Sequence, residues 1–194
     1  ELELQDNPNA VTPENAETGL FFNAIQLDLK DFIQSANGTT ARMVRQLAMT
    51  GGNVYENAIG AGSFNGVWNL SYANIIPDID QLIILTESEG SEVPHFAGAA
   101  KIIKGYVLMT MVDMFGDIPY SESGQGVSNP SPAADGQSSI YDAALALLDA
   151  GIADMGKDSP PFGGNDLFYG GDATKWIQLA NALKIKWYMN VGSG

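Results

Sequence analysis

Apolar residues recur along this chain at intervals of three and four, the period of a helix with one buried face. Thr12 followed by Pro13 fits an N-cap with proline in the first turn, and Phe21, Ile25, Leu29, Phe32 and Ala36 continue as one stripe. Asn37-Gly38 reads as the stop of this first helix, and Thr40 as the start of a short second one through Met43, Leu47 and Ala48, ended by Gly51-Gly52. A glycine-rich loop from Gly52 to Gly66 leads into a third helix, from about Phe64 to Thr86, which Pro77 should bend near Ile76.

Pro94 opens the fourth helix, expected to be the most buried. Phe96, Ala100, Ile103, Val107, Met111 and Met114 form its stripe, and Ala99, Ile102, Tyr106 and Met109 widen it. A Gly, Ser and Pro-rich connection runs from Phe115 to Gln137. Ser139 and Asp142 then have capping-box spacing at the head of a fifth helix whose face is Tyr141, Leu145, Leu148, Ile152 and Met155. Asp172 can cap a sixth helix that carries Trp176, Ala180, Leu183 and Trp187. No window alternates with period two, so the fold expected is all-α, with helices three to six as two helical hairpins and any sheet incidental. The Trp-x-x-Leu-Gly-x-x-Tyr signature and 34-residue period of tetratricopeptide repeats are missing from the pattern.

Length and composition narrow the picture. The 194 residues suit one compact domain, residues 1–194 with 1–11 as an extended lead-in, and 45% hydrophobic residues argue against disorder despite 22 glycines and 9 prolines. A net charge of −14 would repel phosphate backbones and anionic lipid, so nucleic acid is a poor partner. With no cysteine, disulfides, thiol nucleophiles and thiolate metal sites drop out. No apolar run approaches the roughly 20 residues that cross a bilayer, and no signal peptide opens the chain, which reads as soluble with any export signal removed.

Three blocks, with a fourth between them, bear a resemblance in sequence order. They are Asn7-Pro8-Asn9; Val112-Asp113-Met114-Phe115-Gly116-Asp117-Ile118-Pro119-Tyr120-Ser121-Glu122; Asp135-Gly136-Gln137-Ser138-Ser139-Ile140-Tyr141; and Leu167-Phe168-Tyr169-Gly170-Gly171-Asp172-Ala173-Thr174-Lys175-Trp176 running into Leu179-Ala180-Asn181-Ala182-Leu183-Lys184. Together they resemble the SusD/RagB family, its SusD-like branch, over nearly the whole chain. The resemblance implies the N-terminal portion of a longer protein, with helical hairpins of tetratricopeptide-like type and long irregular loops. It further implies a surface-exposed outer-membrane lipoprotein that holds oligosaccharide or another nutrient, without reaction or cofactor, and partners a TonB-dependent transporter of the SusC type. The membrane would be reached only through a lipid anchor on a cysteine preceding the lead-in. Apolar surface on helices four and six would be exposed where later residues of the whole protein pack.

Candidate chemistry is sparse. Tyr55, Phe64 and Trp68 flank Gly60-Ala61-Gly62-Ser63, and their rings beside the amides of Asn53 and Asn65 suit the CH-rich face and hydroxyls of a sugar; these five are the expected ligand-binding residues, although Trp68 fits packing equally. Phe115-Gly116-Asp117-Ile118-Pro119-Tyr120 reads as a rigid helix exit, and Trp176 and Trp187 as packing residues. The Gly60-x-Gly62-x-x-x-Gly66 spacing misses dinucleotide and phosphate-loop motifs. His95, the single histidine, has no triad or zinc partners. Asp78 with Asp80, and Glu87 with Glu89, are sequence neighbours, whereas a glycosidase needs carboxylates facing one another across a sugar. Asp166 and Asp172 around Gly170-Gly171 could offer oxygens to calcium, but no EF-hand pattern surrounds them and helix capping accounts for Asp172. No catalytic or metal residue is therefore assigned. Two rival readings stand beside nutrient binding: a helical protein-interaction scaffold with no small-molecule ligand, and a glycan-degrading enzyme or the accessory subunit of a glycan-degrading system, which would need a paired-carboxylate cleft.

Overall fold

The computed structural model describes residues 18–49, 55, 59–87 and 93–192. The Thr12-Pro13 start, Gly51-Gly52 and Asn53 lie outside them. Among the described residues the architecture is helical, and the single β-bridge, Ile118 with Asp135, is isolated. No helix there is long and apolar enough to cross a membrane.

Helix α1 spans Thr18–Met43 and buries Phe22, Ile25, Leu29, Phe32 and Ala36. The stripe is the expected one except at its start, where Phe22 is fully buried and Phe21 only partly. Asn37-Gly38 does not end the helix. Thr40 Oγ1 donates to Ala36 O within the helix, and the chain breaks out only at Arg45, which takes a left-handed φ of 61°. Thr40–Met43 is thus the last turn of α1 and not a separate helix. Nothing lies within 4 Å of a Cβ built on Gly38, so no packed neighbour forces a turn there.

A 3-10 turn (Ala61–Phe64), α2 (Asn65–Asn69), a π-helical stretch (Leu70–Ile75) and α3 (Ile76–Thr86) follow without a break. Pro77, in the first turn of α3, has no N–H to give, and its ring would crowd the carbonyl four residues back. The expected disturbance at Ile76 takes the form of the wider π turn immediately before it, which supplies that space.

Helix α4 (Pro94–Phe115) is the centre of the core, with Ala99, Ala100, Ile102, Val107, Leu108, Met109 and Met111 at 0–1% exposure. It packs against α3 on one side and α5 (Gln137–Met155) on the other, and α5 packs against α6 (Ala173–Val191). The α4–α5 contact is close because glycines face each other across it: a Cβ on Gly151 would come within 2.8 Å of Gly98 O and 2.7 Å of Ile102 Cγ1. The buried face of α5 is Ile140, Ala144, Leu148, Gly151 and Met155, one residue round from the expected one, since Leu145 and Ile152 are only partly buried. Glycine carries no hydrophobic signal, so a stripe running through Gly151 is invisible to periodicity. On α6, Trp176, Ala180 and Leu183 are buried as expected.

Aspartates order the long connections by accepting backbone N–H groups. Asp117 Oδ1 accepts from Gln137 N at 2.8 Å and so caps α5 from a distance. The expected Ser139–Asp142 box does not form: the N-cap is Gly136, and Ser139 Oγ donates to Gly136 O. Asp166, 5% exposed, accepts from Phe168 N, Tyr169 N, Gly171 N and the Trp176 indole N–H. Those bonds use its oxygens, which is the structural role that competes with a calcium reading. Asp172 caps α6 by accepting from Thr174 N at 3.0 Å. Gln26, on α1, clasps the same loop through Asn165 O and Leu167 N.

Exposed apolar side chains lie on α6 (Ile185, Tyr188, Met189 and Val191), beside it (Leu167 and Phe168), and on α1 and just after it (Leu20, Leu27, Met43, Val44 and Leu47). The expectation of open apolar surface therefore holds for helix six; on α4 no large apolar side chain is among the exposed ones.

Candidate binding groove

The Gly60–Trp68 segment sits against the end of α4 through aromatic contacts. Phe64 meets Phe115 edge-on with ring centroids 5.5 Å apart, and Trp68 lies 5.0 Å from the same ring. One turn on, Tyr72 stacks on Trp68 at 5.3 Å with an interplanar angle of 17°. The i, i+4 spacing on the helix puts the two rings side by side, and Phe115 props Trp68. Tyr72 Oη donates to Pro119 O at 2.6 Å, which fixes the ring against the chain leaving α4.

That chain is itself rigid. Gly116 turns at φ 75°, a conformation that glycine adopts without strain, and Ile118 is fully buried. Asp135 Oδ2 accepts from Tyr120 N and Ser121 N, and its Oδ1 from Ser121 Oγ, all at 2.7–2.8 Å. The Ser121 hydroxyl and amide hold the Asp135 carboxyl below the usual carboxylate range. Burial, with the Asp135 charge nearby, pushes the Tyr72 phenol up to about 12, so the bond to Pro119 persists across physiological pH.

Between the ring pair and this loop runs a groove of ≈ 510 Å³. Trp68, Asn69, Tyr72 and Ala73 form its helical wall; Pro119, Ser123, Gly124, Gly126, Asn129, Pro130 and Pro132 form the other. Aromatic and proline surface with interspersed amides and a hydroxyl is the composition that binds a polyhydroxylated ring. A larger cleft of ≈ 720 Å³ lies where α4, α5 and α6 meet, but its carboxylate, Asp113, already accepts from Tyr141, Asn190 and Lys186.

Of the five expected binding residues, Phe64 and Trp68 come together on Phe115, and only Trp68 lines the groove. Asn65 is exposed at the start of α2. Tyr55 faces Arg45, whose guanidinium lies 4.9 Å from the ring centroid. Asn53 falls outside the described residues. Sequence reasoning missed Tyr72, Asn69, Ser123 and Asn129. The Trp68-x-x-x-Tyr72 spacing was an available signal; the loop partners, some fifty residues away in the chain, had none.

The family described as SusD-like, "Starch-binding associating with outer membrane", matches residues 8–193. The chain belongs to this family. Solved structures share its fold. A SusD/RagB family protein from Bacteroides thetaiotaomicron is 22% identical with a TM-score of 0.68, covering 90% of this chain and 38% of its own. A chitin-binding SusD homologue from Flavobacterium johnsoniae is 23% identical with a TM-score of 0.69, covering 89% and 38%. A SusD homologue from Parabacteroides distasonis is 23% identical with a TM-score of 0.70, covering 89% and 35%. The chain thus spans about 38% or less of the length of these structures. No curated protein matched it.

Proposed function

We propose that this chain is the N-terminal helical unit of a nutrient-binding protein that captures oligosaccharide at the cell surface without chemical conversion. One observation carries the reading: the stacked pair Trp68 and Tyr72 walls an open groove whose other side is a loop pinned by Asp135. A preformed groove of this kind binds with little ordering cost. Membership of a family described as starch-binding and outer-membrane-associated supports the ligand class and the location, and the chitin-binding homologue from Flavobacterium johnsoniae is consistent with a glycan. Hand-over to a SusC-type TonB-dependent transporter, and attachment through an N-terminal lipid, complete the proposal.

The test is calorimetric titration of the full-length mature protein with maltohexaose and chitohexaose, alongside assay of the same mixtures for shortened products. Saturable binding that Trp68→Ala weakens at least tenfold, about 1.4 kcal/mol, with oligomers recovered intact, is the expected result. Turnover would overturn the non-enzymatic reading. Binding that Trp68→Ala leaves unchanged would remove the groove from it.

A further inference from the structure

The inner wall of the groove spends its donors on the protein. Tyr72 Oη donates to Pro119 O at 2.6 Å, Ser123 Oγ donates to Tyr120 O at 2.7 Å, and Asn129 Nδ2 donates to Glu122 Oε2 at 3.1 Å. Each bond fixes an orientation. A hydroxyl has one hydrogen to give, and an amide facing a carboxylate must present its NH₂ to it. What Tyr72 and Ser123 have left for a ligand is oxygen lone pairs, and Asn129 keeps one N–H beside its amide oxygen.

No lining residue of the groove carries a charge. The charges behind it are negative: Glu122, held by Asn129 and Ala133 N, and Asp135, held ionised by Ser121 and Tyr120. Lys104 lies 5.7 Å from the Tyr120 ring centroid and is ion-paired to Asp80. The side-chain donors that remain, the Trp68 indole, the Asn69 amide and the second N–H of Asn129, are neutral. A carboxylate or sulfate would therefore give up its hydration for a few neutral donors among oxygen acceptors, in a negative field and with no cation to pair with.

We infer that the groove selects glycans by charge: it takes neutral oligosaccharides and amino-sugar oligomers, which bring hydroxyl, amide or ammonium donors, and it refuses uronic-acid and sulfated ones. This rests on the groove being the glycan site proposed above, and it specifies the ligand class of that site.

Four probes test it on the full-length protein: maltohexaose, chitohexaose, the hexamer of glucosamine and the hexamer of galacturonic acid, titrated into wild type, Trp68→Ala and Ala73→Arg. Ala73 is an exposed wall residue, so the substitution adds a cation without disturbing the core. At least one neutral or amino hexamer should bind wild type at least 100-fold more tightly than the galacturonate hexamer. Ala73→Arg should narrow that ratio tenfold or more, in the direction of the anion. Galacturonate binding as tight as the best neutral probe, and lost in Trp68→Ala, would overturn the charge selection while leaving the groove as the site. Binding of any probe that neither Trp68→Ala nor Ala73→Arg alters would overturn both.

Discussion

Gly151→Ala and Gly38→Ala are the same substitution inside two helices of one chain, and the packing gives them opposite signs. Replacing a mid-helix glycine by alanine should stabilise by about 0.5–1 kcal/mol, because the unfolded chain loses conformational freedom that glycine alone has. At Gly38 that gain is available in full, since nothing lies within 4 Å of the added methyl. At Gly151 the methyl would sit 2.7 Å from Ile102 Cγ1 and 2.8 Å from Gly98 O. The first contact could be relieved by a rotamer change, but the second is backbone, so α4 and α5 must separate along a fully buried seam. Overpacking of that kind costs about 1–3 kcal/mol, and subtracting the propensity gain leaves a net loss of about 1 kcal/mol. Urea denaturation followed by circular dichroism, with both variants and wild type at one protein concentration, reads the difference directly. Gly151→Ala at or above wild-type stability would refute the claim that glycine contact sets the α4–α5 distance. A loss at Gly38 would refute the accounting that makes its helix interior open.

Other perturbations test the aspartate pins and the buried ion pair. Asp166→Ala strands Phe168 N, Tyr169 N, Gly171 N and the Trp176 indole at once; it should cost about 3 kcal/mol or more and red-shift tryptophan emission as the loop opens, and a loss below 1 kcal/mol would count against the pin. Asp117→Ala should lower stability by about 1 kcal/mol, the value of a helix cap, although Asp117 lies twenty residues before the helix it caps; a neutral effect in the same denaturation assay would remove it from that role. For Asp154, burial raises the carboxyl, but hydrogen bonds from Lys101 and Lys157 outweigh it and hold the group below its ordinary range. A depressed folded value means that its stabilisation is complete above the unfolded carboxylate value near 4 and is lost as pH falls through the folded one. Wild type should therefore exceed Asp154→Asn in stability at pH 6, and the gap should narrow as pH falls below about 4; a gap that stays constant with pH would contradict the assignment.

Helix existence was legible in this sequence because the hydrophobic effect acts on side chains whose spacing the chain order already records. Phe96 to Met111 on α4 and Trp176 to Leu183 on α6 are buried as their period demands, and the Phe115–Tyr120 and Tyr169–Trp176 blocks were enough to point to the family. What periodicity could not reach depended on partners distant in the chain. Asn37-Gly38 has the chemistry of a helix stop, yet α1 runs through it because no tertiary contact requires a turn there. Gly151 has no side chain to signal burial, yet its contact with Gly98 rotates the buried face of α5 by a residue. The groove has the same origin: Trp68 could be picked out as an aromatic beside a glycine-rich loop, but its wall is completed by Ser123, Asn129 and three prolines that only the fold of the Phe115–Gln137 connection brings to it. Local pattern fixes which segments are helical, because each helix satisfies its own backbone. Tertiary structure decides which polar atoms are already spent and which still face a ligand, because that depends on every neighbour at once.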